Sequence, residues 1–287
     1  MNASRWTSRD GSLLCALIVL ALYAFRGPWT ELANEVLRRE DNSYIFIVPL
    51  VAGYLFWLRR PRFRFVRRRP SLIGVVLLGM AAAMAWWGVE TDTRVSSHLA
   101  AILSLVACFI TFTGIAALRY FLPVALALVF LIPVPGEIRR MIATGLQGMA
   151  VFVTNDTLEL LGVPSERLGN VIMIRGSPIL VGEACDGMRM VMALALTYFA
   201  FVFSVPLKLV TRVLLLAISP VVAIACNLVR LVATALAYAH STPEFAESVH
   251  DVAGWFMLPL AIFILVGIVR LLRWMDLPVY SWRFPQA

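Results

Sequence analysis

The sequence predicts an all-α polytopic membrane protein, with about eight transmembrane helices, one interfacial or re-entrant helix and a short outer-face β-hairpin. Three observations carry this. Hydrophobic residues fill 61% of the 287 positions and charged ones only 15%, with a mean hydropathy of +0.84, which leaves too little polar surface for a soluble fold. Apolar runs close to the roughly 20 residues needed to cross a bilayer recur along the chain. Basic residues gather between alternate runs, as the positive-inside rule requires.

The spans are expected at about residues 12–28, 43–58, 71–89, 98–118, 120–135, 188–206, 209–238 and 252–272. The first follows a basic start but no small-residue cleavage site, so it reads as a retained span rather than a signal peptide. The fourth and fifth should meet in a tight hairpin at Arg119, and Pro220 should kink the seventh. Segment 139–163 differs, because Arg140, Thr144, Gln147, Thr154, Asn155 and Glu159 fall largely along one helical face. Such a stripe suits an interfacial or re-entrant helix better than a lipid-facing one. The runs flanking Gly176-Ser177-Pro178 within 170–185 are rich in Val, Ile and Leu and read as a β-hairpin. No internal repeat or linker is apparent, and 1–287 reads as a single integral membrane domain.

Seven arginines fall in 59-RRPRFRFVRRRP-70, between two apolar runs. This explains much of the +8 net charge as a cytoplasmic loop and argues against nucleic acid as a partner. Attraction to anionic lipid head groups is a by-product. With that loop inside and 139–163 not crossing, Lys208, Arg212, Arg270 and Arg273 also fall inside. Both termini are then cytoplasmic, and the hairpin lies on the outer face. Cys15, Cys108 and Cys226 sit within apolar segments as small hydrophobes. Without a Cys-x-x-Cys pair, neither a metal site nor a disulfide framework is expected, and no cofactor is indicated.

The outer face collects the polar chemistry. In 182-GEACDGMRM-190, Glu183, Cys185, Asp186 and Arg189 open the sixth span; 249-VHDVAGW-255 sets His250 and Asp251 at the start of the last. On the seventh span Arg230 follows Arg212 by 18 residues, about 27 Å of helix, which puts it near the outer boundary with Asn227 one turn below. A thiol, an imidazole to take and return its proton, and a guanidinium to hold an oxyanion suit peptide-bond cleavage through a thioester. Alternatives stay open on the residues alone. Glu183 and Asp186 suit a helix N-terminus or a pair with Arg189; Arg230 and His250 suit an anion-binding transporter site; a scaffold would need none of them. His98 and His240 are the other candidates for the imidazole.

The pattern Glu183-Ala184-Cys185-x-Gly187-x-Arg189, with Asn227-x-x-Arg230 and His250-Asp251-x-x-Gly254, resembles the exosortase/archaeosortase family of polytopic membrane transpeptidases. The stretch 42-NSYIFIVPLVAGYLFW-57 is similar to that family's early Tyr-Ser-His-Gly-x-x-x-x-Pro segment, with Ile45-Phe46 in place of His-Gly, and the likeness runs over about 40–272. Asp186 stands where a small polar residue is common. The resemblance implies Cys185 as nucleophile, His250 as general acid/base and Arg230 as stabiliser of the oxyanion or substrate carbonyl. It implies partners too: secreted proteins with a C-terminal signal, made of a Pro-Glu-Pro-like motif, a hydrophobic helix and basic residues. Cleavage would occur on the outer face of the cytoplasmic membrane, with transfer to an acceptor of unknown identity.

Overall fold

The computed structural model describes residues 8–38, 40–66, 70–174, 177–180 and 188–275. The chain divides into two compact units, Met1–Pro135 and Gly136–Ala287, taken here one at a time.

The first unit begins with α1 (Ser8–Ala24) and α2 (Arg26–Arg38), whose axes differ by 74°. The single span expected at 12–28 is therefore a bent pair. Pro28 accounts for the break: it has no N–H to give, and in a continuous helix its ring would clash with the carbonyl four residues earlier, at Ala24, where α1 ends. Next, α3 (Val48–Arg59) is flanked by 3-10 turns at Glu40–Ile47 and Arg60–Phe65, and α4 (Leu72–Glu90) and α5 (Arg94–Thr113) follow.

The α4–α5 pair packs most closely because its seam is nearly side-chain free. Gly74, Ala81 and Gly88 recur every seven residues on the buried side of α4. A Cβ on Gly74 would stand 2.7 Å from Thr111 Cα, and one on Gly88 2.9 Å from Ser97 N. Without a hydrophobic drive between helices in lipid, this close backbone approach is what joins them. Ser71 caps α4 through its hydroxyl and donates its amide to Thr111 O at 3.2 Å. At the other end of α5, Arg94 bonds Glu35 of α2 at 2.8 Å.

The break between α5 and α6 (Ile115–Val129) falls at Gly114, not at Arg119 as the charge suggested. Gly114 adopts φ 91, ψ 156, a conformation open essentially to glycine. Arg119 rides inside the first turns of α6.

The second unit opens with α7 (Gly136–Leu160), followed by an antiparallel meander of β1 (Ser165–Leu168), β2 (Val171–Ile174) and β3 (Ser177–Leu180). The expected hairpin is β2–β3, with Ile174 opposite Ser177; β1 adds a third strand, too polar (Ser-Glu-Arg-Leu) to read as one. Ile172 and Ile174 of β2 pack with Val151 and Leu158 of α7 and Leu231 and Ala235 of a later helix.

Three helices complete the unit: α8 (Met188–Ser204), α9 (Leu209–His240) and α10 (Pro243–Trp274). α9 runs on as helix through Pro220. Short turns join α8 to α9 and α9 to α10, so α8 and α10 run in the same direction. Tyr198, Leu215, Cys226, Ala261 and Leu265 form their common core. The last helix starts nine residues earlier than the expected 252, at a Thr242 cap whose hydroxyl accepts from Phe245 N, with Pro243 in the first turn.

Five described helical segments are long and apolar enough to cross a membrane: Asn42–Phe65, Leu72–Glu90, Arg94–Thr113, Leu209–His240 and Pro243–Trp274; the α1–α2 pair makes six if it is one broken span. α6 and α8 are apolar but only 15 and 17 residues long. The protein is thus a helical, multi-pass membrane protein, and the count of eight full spans is not reached among the described residues. α7 does not qualify as a span by composition, since its polar stripe lowers its hydropathy.

Candidate functional site

Arg230 is the centre of what the described residues bring together. It is 9% exposed, and its Nη2 donates to Asn227 Oδ1 at 3.0 Å, one turn back on the same face of α9. Asn227 is itself 4% exposed. A guanidinium is costly to bury unless its donors are used and its charge serves something. Asn227 supplies one acceptor and fixes the plane of the fork.

Arg230 lies against α10. An added Cβ on Gly254 would stand 3.9 Å from Arg230 Nη1, in ordinary contact. Gly254 is one turn after His250 and shares its face, so the guanidinium packs about one turn below the imidazole. His250 is 28% exposed at its side chain, and its Nδ1 lies 3.4 Å from Asp251 Oδ1. When Nδ1 carries the proton and faces that carboxylate, Nε2 is left as the proton acceptor.

The height of α8 against α10 is set by one buried bond. The Tyr198 hydroxyl donates to Ala261 O across 3.2 Å. Counting back, Met188 is ten residues above Tyr198 and His250 eleven above Ala261, about 15 and 16 Å on parallel helices. The first residue of α8 and the imidazole therefore lie within about one turn of the same level. Arg189, half-buried, is the second residue of α8. Cys185, Glu183 and Asp186 lie outside the described residues; in sequence Cys185 precedes α8 by three positions.

The other imidazoles are placed differently. His240 is ten residues past Arg230, about 15 Å along α9, with its Nδ1 3.0 Å from Leu236 O. His98 is buried in α5 of the first unit. Asp251 is exposed. No cluster of three or more metal-ligating side chains occurs among the described residues.

Two participants were not singled out from sequence. Tyr198 had a signal, a phenol amid the apolar run 190–203, where a buried hydroxyl needs a partner. Thr234 is one turn beyond Arg230 on the same face, 5% exposed, and its hydroxyl has no hydrogen-bond partner among the described residues. Thr111, Thr113, Thr157 and Thr197 each bond back to a carbonyl of their own helix.

Such a site on a multi-pass helical scaffold defines a membrane-embedded protein with a buried guanidinium beside an imidazole. Residues 29–267 match the transmembrane exosortase family (Exosortase_EpsH), and the chain belongs to that family, whose members are in general membrane-embedded sorting transpeptidases. No curated protein and no solved structure matches the chain.

Proposed function

We propose that the protein is a cysteine transpeptidase of the cytoplasmic membrane that cleaves secreted proteins at a C-terminal sorting signal on the outer face. The observation that carries the reading is the packing of Arg230 against Gly254, one turn from His250. Around it, Asn227 is a positioning residue for Arg230, and Asp251 one for the His250 tautomer.

In the reaction His250 Nε2 takes the proton of the Cys185 thiol, and the thiolate forms a bond to the scissile carbonyl carbon. The carbonyl oxygen gains the negative charge, which Arg230 stabilises with donors held in a fixed fork. As the carbon–nitrogen bond breaks, the His250 proton passes to the departing amine, leaving a thioester on Cys185. An acceptor nucleophile then gives its proton to His250 and takes the acyl group, and that proton returns to the sulfur. Asp186, next to Cys185 in sequence, would disfavour the thiolate unless Arg189 neutralises it. The hydrophobic helix of the signal would lie against the bundle with its basic end inside, so that remote binding orients the reacting bond.

The test is co-expression with a tagged secreted substrate bearing a Pro-Glu-Pro-like C-terminal signal. Wild type should shorten it and carry a thioester-linked fragment on Cys185; Cys185→Ser should do neither. Undiminished cleavage by Cys185→Ser would overturn the mechanism and favour the reading of Arg230 and His250 as an anion-binding transporter site.

A further inference from the structure

We infer that the first unit carries a binding site for the phosphate of an anionic phospholipid, in a cavity at its arginine-rich end. The cavity has a volume of about 480 Å³, within the roughly 300–1,000 Å³ of small-ligand sites. Phe65, Ser71, Thr113, Gly114, Arg119 and Tyr120 are among its lining residues.

Its place in the fold is where spans end. Asn42–Phe65 and Arg94–Thr113 finish there, and Leu72–Glu90 begins there, the last two joined by the Ser71 amide on Thr111 O. The cavity therefore opens at the height where hydrocarbon gives way to head groups. An acyl chain can stay in the bilayer while the phosphate enters.

The charge is one-sided. No Asp or Glu occurs from residue 59 to 89 or from 93 to 136. Glu35 pairs with Arg94 at the far end of α5. The first turn of α1 holds one charge of each sign, Arg9 and Asp10. Phe65, Tyr120 and Arg119 of the lining form a ladder of rings and a guanidinium, which Arg64 extends beyond the cavity. Arg64 lies over the Phe65 ring at 4.7 Å, Phe65 stacks on Tyr120 at 6.4 Å, and Arg119 lies over Tyr120 at 4.7 Å. Arg119 also donates through Nη2 to the Tyr120 hydroxyl at 2.8 Å. That bond uses one of five guanidinium donors and fixes the plane in which the others point, the geometry that favours a phosphate fork. The rings add the amphipathic lining typical of a membrane interface. Gly114 brings no side chain, so a head group can approach the backbone closely.

The experiment uses full-length protein in a neutral detergent and measures lipid binding by native mass spectrometry. The probes are dioctanoyl phosphatidylglycerol, dioctanoyl phosphatidylcholine and inorganic phosphate. Phosphatidylglycerol should bind about tenfold more tightly than phosphatidylcholine, and Arg119→Gln should remove about that factor. Arg119→Lys, which keeps charge without the fork, and Tyr120→Phe, which frees the guanidinium plane, should fall between. Arg140→Gln, an equal change of charge at an exposed position of α7, should leave binding as in wild type. Equal binding of the two lipids, or phosphatidylglycerol binding unmoved by Arg119→Gln, would overturn the site. Inorganic phosphate binding as tightly as phosphatidylglycerol, with the same dependence on Arg119, would overturn the lipid as its occupant.

Discussion

The contact between Gly254 and Arg230 can be tested by adding carbon to the glycine in steps. With a Cβ 3.9 Å from Arg230 Nη1, Gly254→Ala makes an ordinary contact. The position is mid-helix and outside the left-handed region, so alanine should raise stability by about 0.5–1 kcal/mol and leave cleavage within about twofold. Gly254→Leu extends about 1.5 Å further, which brings a carbon to roughly 2.4 Å where about 3.5 Å is needed. The guanidinium must then move by about 1 Å, stretching its bond to Asn227 beyond hydrogen-bond range. A displacement of that size at a reacting centre costs about a hundredfold in rate. The assay is the fraction of tagged substrate shortened over time, with thermal unfolding of the purified variants alongside. A leucine variant as active as wild type, or an alanine variant already inactive while fully folded, would refute the reasoning.

Other substitutions test the scaffold. Tyr198→Phe removes the bond to Ala261 O and should cost about 0.5–1 kcal/mol in detergent unfolding, with cleavage falling more than stability, because the levels of the two motifs loosen. Thr234→Val removes a buried hydroxyl without a partner among the described residues; it should hold or raise the melting temperature, and a loss of cleavage would then assign that hydroxyl to the substrate. Gly74→Ala should destabilise by about 1–3 kcal/mol as α4 is pushed off α5, while Gly79→Ala on the same helix, with nothing within 4 Å, should be neutral or stabilising. Gly114→Ala should cost about 1–3 kcal/mol for its backbone conformation alone, read in the same unfolding experiment.

Much of the architecture was legible because hydropathy reports directly on lipid. Helix ends were read less well where charge stood in for backbone geometry. Arg119 looked like a turn, but a guanidinium tolerates a helix, whereas the φ of Gly114 does not suit any other residue. The start of α10 was present in Ser241-Thr242-Pro243-Glu244 as a capping signal, overshadowed by the later onset of apolar residues. The α4–α5 seam could not be read from hydropathy, which scores glycine and alanine alike whether they face lipid or a neighbouring backbone. In the candidate site, motif order pointed to Arg230, Asn227 and His250, and the Arg230–Asn227 bond lies where the one-turn spacing put it. The approach of Gly254 to Arg230 and the bond from Tyr198 depend on the register of one helix against another, which no single helix encodes.

The Tyr198–Ala261 bond also bears on how the protein answers the bilayer around it. Long helices meet changes in hydrocarbon thickness by tilting, and α10, at 32 residues or about 48 Å, has ample length to do so. Two helices pinned at mid-height by a hydroxyl tilt as one body. Their upper ends then keep their relative elevation in thin and thick membranes alike, although their elevation above the lipid surface changes. Anything anchored by its own separate helix has no such pin. Lipid thickness would therefore alter how such a partner is presented, while leaving the alignment of Met188 with His250 intact.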